Sequence, residues 1–444
     1  MEDSYRRIAI DILTTFETDN KTLKEIFNLK LKNKNLSDVT KNRCRVTVNE
    51  VMRLKGILDV FIVKFSSRPI KNIQLDALTI LRIASYEMLF DDLIPNFAAV
   101  HSSVELGKTI VNKKVGSFIN AVLRNLDRDQ NKKLLSINNI LDNYSEFGYP
   151  KWLVKKWKKQ YGVNKTKKLC RYFLNNVPMH IRLSKEFRGS DNFIKILNNY
   201  NIEVKQNNFF PNYFEIIKGQ KNILSTKLFK EGHISIQDPA AGAVIRLLDP
   251  KEGDLILDVC AAPGTKSLFL AEEVGPNGSI RASDKNIYRV SEGESDLNRT
   301  MKKNIKWSVL DACKDKFPFA KKILIDVPCS GTGVLSRRPD IKWRLKEKDI
   351  NKMSTTQFSI LSHMSNFLLP GGIIVYSTCS LEPEENQLII NKFLNEKENF
   401  TLIPSDSFLS KQWVDSNGFF MSIPYLTKSD AIFGAVLMKK NEEV

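Results

Sequence analysis

The spacing of apolar residues along the chain changes from a helical pattern to a strand pattern. Through the first 135 or so residues apolar positions recur every three or four residues, as at Ile8, Ile12 and Phe16, and glycine is rare. This spacing predicts a bundle of amphipathic helices whose apolar stripes form its core. Residues 129–148 are rich in Asn, Lys and Ser, which predicts a linker with short helical turns.

Shorter apolar runs follow. Between Met179 and about Ile223 the alternating segments MHIRLS and YFEIIKG predict a small α+β subdomain. Near Ser235, ISIQDPAAG predicts a turn before a helix, and the runs DLILDV, SIRASD, WSVLD and ILIDV then predict buried parallel strands. The tail from residue 400 to 440 predicts further strands with an antiparallel edge pair. The predicted domains are therefore all-α at 1–135, linker and α+β at 136–234, and α/β at 235–444.

Two predicted strands carry a thiol directly after their carboxyl ends. Cys329 lies in ILIDVPCSGTG and Cys379 in GIIVYSTCS. Ligands of an open α/β sheet bind outside such strand ends, so both thiols face one crevice if their strands are neighbours. Alternatively, both are small core residues, since free cysteine is often buried. The start of the chain shows no secretory signal, which argues against disulfides, and no C-x-x-C or nearby His indicates a metal site.

The segment DLILDVCAAPGTKSLFLAEEV predicts a strand, a tight turn and a helix starting near Thr265. It matches neither a Walker A loop nor G-x-G-x-x-G, which favours a cofactor without phosphate, such as S-adenosylmethionine. Asp284 ends the next strand 20 residues after Gly264, the spacing at which a carboxylate meets a ribose diol. Asp311, after a third strand, can accept a hydrogen bond from an adenine amino group. Taken singly, each acid could equally be a surface cap.

The net charge of the chain is +18, which predicts a polyanionic partner. Residues 151–200 hold 13 Lys and Arg against 2 Asp and Glu, and residues 301–350 hold 13 against 6. In the first window, YPKWLVKKWKKQYG predicts a helix whose aromatic residues pack inward while its lysines can meet phosphates. We interpret these windows as nucleic-acid-binding surfaces; a solvated basic face is the alternative. The chain lacks an apolar run long enough to cross a membrane, which favours a soluble, cytoplasmic protein.

Several longer stretches resemble known families. The segments DVCAAPGTKS, DVPCSGTG, RRPD and STCS, from residue 258 to 380, resemble the RNA 5-methylcytosine methyltransferases of the RsmB/Sun and NOP superfamily. The segments LRIASYEMLF, IPNFAAVHSSVELGK and VGSFINAVLRNL resemble the NusB-like RNA-binding domain. Together they point to the RsmB branch, which implies a NusB-like N-terminal domain, a Rossmann-like methyltransferase domain, and cytosine 967 of 16S rRNA as the substrate.

The resemblance implies roles for individual residues. Asp284 binds the ribose of S-adenosylmethionine, Asp311 its adenine, and Asp326 lies against cofactor and base. Cys379 is the nucleophile, and Cys329 helps to release the product. The implied cofactor loop consists of Cys260, Ala261, Ala262, Pro263, Gly264, Thr265 and Lys266. Thr265 stands where the family usually has a second glycine.

Four basic residues, beyond the Cys329 turn, are predicted to hold phosphates that flank the target base, unless they simply form a solvated loop. They are Arg337, Arg338, Lys342 and Arg344.

The chemistry asks for these residue types independently. C5 of cytosine is a poor nucleophile, so a thiolate must first add to C6, and cysteine suits this task. The carboxyl group of Asp326 can hydrogen-bond N3 and the 4-amino group, and a second thiolate at Cys329 can take the C5 proton. The target base must leave its stack to reach such a pocket.

Two other classes of function stay open. One is a non-catalytic RNA-binding or assembly factor that keeps a methyltransferase core. The other is a methyltransferase of tRNA, 23S rRNA or DNA. In DNA enzymes the nucleophile resembles the Pro-Cys thiol, here Cys329, so the two cysteines would exchange roles. We expect the protein to act as a monomer.

Overall fold

The structure is a computed structural model that describes residues 4–31, 36–130, 137–188 and 192–441. In these residues the chain forms the following α-helices: α1 Tyr5–Thr18, α2 Leu23–Leu31, α3 Asp38–Ser66, α4 Leu75–Phe90, α5 Asn96–Ile110, α6 Lys113–Gln130, α7 Ile137–Tyr144, α8 Lys151–Tyr161, α9 Val163–Leu174, α10 Asn192–Asn198, α11 Lys227–Lys230, α12 Pro239–Leu248, α13 Thr265–Val274, α14 Ile287–Thr300, α15 Ile341–Arg344, α16 Glu347–Met364, α17 Gln387–Glu396 and α18 Pro424–Thr427. Among the same residues no helix is long and apolar enough to cross a membrane.

The strands of the described residues are β1 His180–Leu183, β2 Glu203–Gln206, β3 Tyr213–Lys218, β4 Ile234–Ile236, β5 Leu255–Val259, β6 Ser279–Asp284, β7 Ile305–Val309, β8 Ala320–Asp326, β9 Leu368–Thr378, β10 Phe400–Ile403, β11 Phe420–Met421 and β12 Phe433–Lys439. The chain divides into two compact units. The first consists of Met1–Asn176 and Leu335–Arg344, and the second of Val177–Val334 and Leu345–Val444.

The first unit is helical, which confirms the all-α prediction. Ser4 caps α1 by accepting a hydrogen bond from the backbone N–H of Arg7. The predicted stripe of Ile8, Ile12 and Phe16 is buried in the core of this unit. The predicted linker contains α7 and a turn of 3₁₀ helix at Ser145–Gly148, and its residues 131–136 lie outside the described residues.

The helix predicted from the lysine-rich segment is α8. Trp157 is fully buried and packs between the rings of Tyr149 and Phe173, with centroid distances of 5.7 and 6.4 Å. Lys151, Lys155 and Lys159, four residues apart, are exposed. A single helix therefore packs its aromatic side into its own unit and presents lysines to solvent.

In the second unit, a four-stranded antiparallel sheet has the order β2-β3-β1-β4. Its apolar side chains form one core with α10 and α11, including Ile181, Phe193, Phe214 and Leu228. This confirms the α+β prediction. The segment at Ser235, predicted to be a turn, instead forms β4, which pairs with β1. The predicted domain boundary between residues 234 and 235 therefore falls inside a strand.

The larger sheet of the second unit has the order β10-β12-β9-β8-β5-β6-β7, with β11 paired to β12. Strands β5 to β9 are parallel, and β12 and β10 form an antiparallel edge next to β9. This confirms the predicted α/β architecture and the antiparallel edge. The strand order reverses between β5 and β8, which is where α/β sheets bind their ligands. β8 and β9 are neighbours, so the condition for bringing the two thiols together is met.

A buried ion pair joins the small sheet to α13. Arg182, which is fully buried on β1, contacts both carboxylate oxygens of Glu272 at 2.6 and 3.0 Å. Its Nε donates to Gln237 at 2.9 Å, and its guanidinium lies 4.1 Å from the ring centroid of Phe269. Burial alone would lower the pKa of Arg182, but the charge and hydrogen bonds of Glu272 more than offset this and raise it. Arg182 is therefore charged throughout the neutral range.

We expect Arg182→Met to lower the free energy of unfolding by about 3–5 kcal/mol, because Glu272 would stay buried without its partner. Urea-induced unfolding followed by circular dichroism measures this change. The double variant Arg182→Met/Glu272→Met should be more stable than the single variant, since no buried charge is left unpaired. Lys218→Met is the exposed control, because the Lys218–Glu203 pair lies at the surface and is worth roughly 0–1 kcal/mol. If Arg182→Met lowers the free energy of unfolding only as much as Lys218→Met does, the Arg182–Glu272 pair does not have the stabilising role proposed here.

Candidate active site

The predicted cofactor loop lies at the carboxyl end of β5, beside the point where the strand order reverses. Cys260 begins it in a left-handed conformation, with φ of 59°. Gly264 has φ of 104°, and a Cβ there would lie 2.8 Å from the indole of Trp307. Glycine is thus required at this position. As predicted, α13 begins at Thr265, so its first N–H groups border the loop.

Buried carboxylates lie under this loop. Asp258 accepts a hydrogen bond from the hydroxyl of Ser267 at 2.6 Å, and burial raises the pKa of Asp258 to about 7. Asp284 ends β6 as predicted. Its Oδ1 accepts the backbone N–H of Asn286 at 3.0 Å, and its Oδ2 lies 2.9 Å from Nη1 of Arg289. Arg289 also donates to the carbonyl of Ala262, so it joins the acid to the loop.

Asp311 lies two residues beyond the end of β7. The backbone N–H of Cys313 donates to its Oδ1 at 3.0 Å, and this hydrogen bond is the main cause that lowers the pKa of Asp311. A carboxylate with a lowered pKa is an acceptor at neutral pH. The two acids predicted from strand ends, Asp284 and Asp311, thus lie at the end of β6 and after β7, and Asp258 lies on the neighbouring strand β5.

Asp326, the last residue of β8, forms an ion pair with Lys266 at 2.7 Å between Nζ and Oδ2. Its Oδ1 accepts the hydroxyl of Ser377, on the neighbouring strand, at 2.7 Å. Burial alone would lower the pKa of Lys266, but the charge of Asp326 and its hydrogen bond more than compensate and raise it. Lys266 is therefore an ammonium group, and it fixes the Asp326 carboxylate between the cofactor loop and the cysteine strands.

The structure brings the two predicted cysteines into contact. The Sγ atoms of Cys329 and Cys379 lie 3.1 Å apart, and both side chains are partly exposed. The hydrogen bond with Cys379, together with burial, raises the pKa of Cys329 well above its usual value. Cys329 therefore holds its proton more firmly than an ordinary thiol does. The two sulfur atoms can reach the same small group.

The remaining cysteines lie in other surroundings. Burial raises the pKa of Cys170 to about 12, which makes it an inert thiol in the first unit. Burial likewise raises the pKa of Cys260 in the cofactor loop.

Sequence reasoning missed a set of buried polar side chains behind the cysteines, namely Ser330, Gln357, Ser380 and Glu385. The only signal was their position, since Ser330 and Ser380 directly follow the two cysteines and Glu385 lies in the EPEEN run that comes next.

The four basic residues predicted to hold phosphates are separated by the structure. Arg337 and Arg338 are exposed, whereas Lys342 is fully buried in the first unit. Lys342 donates to the carbonyl of Arg53 at 2.8 Å and lies 4.1 Å from the ring centroid of Tyr149, and burial lowers its pKa well below the usual value. The prediction that Lys342 contacts phosphate is therefore wrong for this structure.

Arg344 likewise contacts residues of the first unit, to which it belongs. Its Nη2 donates to the carbonyls of Phe16 and Asp19 at 3.0 and 2.9 Å, and its guanidinium stacks 4.0 Å from the ring centroid of Phe16. These contacts occupy Nη2 and hold the guanidinium against the Phe16 ring. Arg344 is thus a packing residue here, and only Arg337 and Arg338 remain in the predicted RNA contact.

The parallel sheet, the loop after β5 and the acids at successive strand ends define a Rossmann-like methyltransferase. Family models match three consecutive parts of the chain: the NusB family at residues 3–128, the ferredoxin-like domain of RsmF/B-like methyltransferases at 149–221, and 16S rRNA methyltransferase RsmB/F at 245–438. The chain belongs to the ribosomal RNA small subunit methyltransferase B family. Its N-terminal helical part is NusB-like, as the sequence predicted.

Relatives extend over nearly the whole chain. The chain is 30% identical to "Probable ribosomal RNA small subunit methyltransferase B" of Bacillus subtilis, over 98% of this chain and 99% of that protein. It is 31% identical to ribosomal RNA small subunit methyltransferase B of an Enterobacter species, over 79% and 81% of the two chains. The crystal structure of PH0851 superposes with a TM-score of 0.76 at 25% identity, covering 99% of each chain.

Proposed function

We propose that this protein transfers a methyl group to C5 of a cytosine in 16S rRNA, at the family position 967, through a covalent adduct between Cys379 and C6. The observation that best supports this proposal is the contact between two thiols, 3.1 Å apart, beside the Asp326–Lys266 pair. Methylation at an exocyclic nitrogen or oxygen has no need of a thiol nucleophile. Methylation at C5 needs one thiol to activate the ring and a base to restore it.

The cofactor loop and its acids fit S-adenosylmethionine. Among the described residues none donates a hydrogen bond to Oδ1 of Asp258, which is buried beneath the loop and so suits a ligand with donor groups. Each carboxylate oxygen of Asp284 contacts one donor, and such an oxygen can accept two hydrogen bonds. Asp284 can therefore also accept hydrogen bonds from the two hydroxyls of a ribose. The segment Cys260–Lys266 would hold the cofactor, with Asp311 toward the adenine. When bound, S-adenosylmethionine supplies the methyl group.

Each step has a residue of the right type. The Cys379 thiolate forms the Sγ–C6 bond, and the electron pair of the C5–C6 double bond moves onto C5. The Asp326 carboxylate, oriented by Lys266 and Ser377, accepts a hydrogen bond from the 4-amino group. It also accepts one from N3 once N3 has taken up a proton from solvent, and so stabilises the ring as charge develops on it. C5 then takes the methyl group. A thiolate at Cys329 removes the C5 proton, the C5–C6 double bond re-forms, and Cys379 leaves as a thiolate.

RNA is the substrate that the charge distribution favours. The exposed Lys151, Lys155 and Lys159 on α8 form a row of cations on one helix face, and the exposed Arg337 and Arg338 follow the Cys329 loop in sequence. Contacts of this kind position a polyanion without reading its sequence. We propose that the protein acts as a monomer on RNA through these surfaces.

The direct test is to incubate the full chain with labelled S-adenosylmethionine and unmodified small-subunit rRNA, and then to map the labelled nucleoside by nuclease digestion and mass spectrometry. We expect a single 5-methylcytidine, at the family position. RNA already carrying 5-methylcytosine there is the control and should take up no label. Label on tRNA or large-subunit rRNA instead would keep the chemistry and contradict the substrate. Cofactor binding without transfer to any of these RNAs would favour an assembly factor.

A further inference from the structure

Glu385, in the 3₁₀ turn Pro383–Glu385 that follows the Cys379 loop, is a fully buried carboxylate for which the mechanism above has no role. Burying a carboxylate is costly unless its oxygen atoms receive enough hydrogen bonds. A buried acid close to two reactive thiols therefore calls for a physical reason.

The carboxylate receives a full set of donors. Its Oε1 accepts the backbone N–H of Ser330 at 2.8 Å and the side-chain amide of Gln357 at 3.0 Å. Its Oε2 accepts the hydroxyl of Ser330 and, at 2.5 Å, the hydroxyl of Ser380. Four hydrogen bonds from neutral donors satisfy both oxygens and fix the orientation of the group.

The donors to Glu385 come from the loops of both cysteines and from α16. Ser330 directly follows Cys329, and Ser380 directly follows Cys379, so one carboxylate contacts the residue after each thiol. Gln357, on α16, also donates to the carbonyl of Pro328 at 2.9 Å and so holds the other side of the Cys329 turn. The backbone N–H of Gly333 donates to the carbonyl of Cys379 at 2.9 Å. The two loops are therefore connected through Glu385 as well as directly.

We propose that Glu385 is a positioning residue that sets the distance between the sulfur atoms of Cys329 and Cys379. This inference rests on the proposed function, in which the two sulfurs act on adjacent ring atoms, C6 and the proton on C5, and so must keep a fixed separation. The charge of Glu385 is also one cause, after the hydrogen bond to Cys379 and burial, that raises the pKa of Cys329. A carboxylate held between the loops thus influences both the geometry and the protonation of the thiol pair.

The length of the side chain can be varied separately from its shape. Glu385→Asp shortens the side chain by one methylene and so draws the carboxylate back from Ser330 and Ser380, which both contact its Oε2. Glu385→Gln is nearly isosteric: its amide oxygen can accept from Ser330 and Gln357, and its NH₂ group can donate to the two hydroxyls. Glu396→Gln, an exposed acid on α17, is the matched control. The melting temperature and the affinity for S-adenosylmethionine report whether each variant is folded.

The distance between the thiols can be measured without RNA. Phenylarsine oxide bonds both sulfurs of a close dithiol, forming two As–S bonds and releasing one water from the arsenic oxygen and the two thiol protons. Tight binding therefore requires both cysteines within reach of one arsenic atom. Cys329→Ser and Cys379→Ser, each with a single thiol at the site, define the background of this assay.

We expect wild type, Glu385→Gln and Glu396→Gln to bind the arsenical with similar affinity. Glu385→Asp should bind the arsenical at least ~100-fold more weakly, because the second thiol is no longer held at a high effective concentration near the arsenic atom. The kcat for methyl transfer by Glu385→Asp should fall about 100-fold, with the KM for RNA and the affinity for S-adenosylmethionine unchanged, since misplacement of reacting groups lowers kcat.

Arsenical binding by a folded Glu385→Asp that equals wild type would overturn the proposal, whatever happens to turnover. If Glu385→Asp does not fold, Ser380→Ala takes its place, because it removes the hydrogen bond between Ser380 and Glu385 and keeps those from Ser330 and Gln357. Unchanged arsenical affinity in that variant would equally contradict the proposal. A wild-type protein that binds the arsenical but methylates no RNA would contradict the proposed function. The positioning role of Glu385 would still be tested, because arsenical affinity is measured without RNA.

Discussion

Cys379→Ala should abolish both methyl transfer and covalent attachment to RNA. Cytosine C5 is activated only while a sulfur atom is bonded to C6, and the methyl side chain of alanine cannot supply that bond. We expect the rate to fall by a factor on the order of 10⁴ or more, as is found when a catalytic nucleophile is removed. Affinity for S-adenosylmethionine should be unchanged, because the cofactor loop follows a different strand, β5.

The measurement combines a methylation assay with a denaturing gel, on which an RNA–protein adduct moves more slowly than free protein. RNA containing 5-fluorocytidine traps the adduct, since fluorine at C5 cannot leave as a proton. The matched control is Cys170→Ala, which also removes one thiol, a buried one, but leaves the site intact. An adduct formed by Cys379→Ala and missing in Cys329→Ala would reverse the roles of the two cysteines, as in the alternative drawn from DNA enzymes.

Much of this site could be predicted from the sequence because its parts are local. A strand, a turn that needs glycine at Gly264 and a helix beginning at Thr265 are encoded within about ten residues, so the cofactor loop can be located before any fold is known. Asp284 is located in the same way, at the end of a short apolar run. Local patterns of this kind place residues at strand ends, and the ends of parallel strands share one edge of the sheet.

The contact between the two cysteines could not be predicted in this way. It depends on β8 and β9 being neighbours, and strand order is set by the packing of the whole sheet. From the sequence alone we could say only that the two thiols face one crevice if their strands are neighbours. The prediction at Ser235 failed for a related reason, because a three-residue strand such as β4 is defined by its pairing with β1 rather than by its own pattern.

Ionisable side chains packed inside the fold were the least predictable feature. Lys342 and Arg344 lie in a basic stretch that is typical of a solvated or phosphate-binding loop, since lysine and arginine are rarely buried. The partner of Lys342 is a carbonyl 289 residues away in sequence, so no local pattern indicates it. Glu385 was missed likewise, because the EPEEN run has the composition of an exposed turn although Glu385 itself is fully buried.

Cys329→Ala should let the covalent adduct accumulate on unmodified RNA while turnover falls. In the resting site the Cys329 thiol keeps its proton, because the hydrogen bond with Cys379 raises the pKa of Cys329, as do burial and the nearby charge. Once Cys379 is bonded to C6, its sulfur is a neutral thioether, so the charge of Cys379, one cause of the raised pKa of Cys329, is removed. The pKa of Cys329 should then fall toward its usual value, and its thiolate becomes available when the C5 proton must be removed.

Alanine at position 329 cannot take that proton, so the methylated base should stay attached to Cys379. The expected result on a denaturing gel is a slow-moving RNA–protein band that depends on S-adenosylmethionine, together with turnover reduced about 10²–10⁴-fold, the usual contribution of a general base. Raising the pH should speed release of the adduct in the wild type, because more Cys329 is ionised, and should have less effect in Cys329→Ala. If the adduct of Cys329→Ala accumulates equally without S-adenosylmethionine, Cys329 acts before methyl transfer. If Cys329→Ala methylates RNA at the wild-type rate, Cys329 has no role in the mechanism.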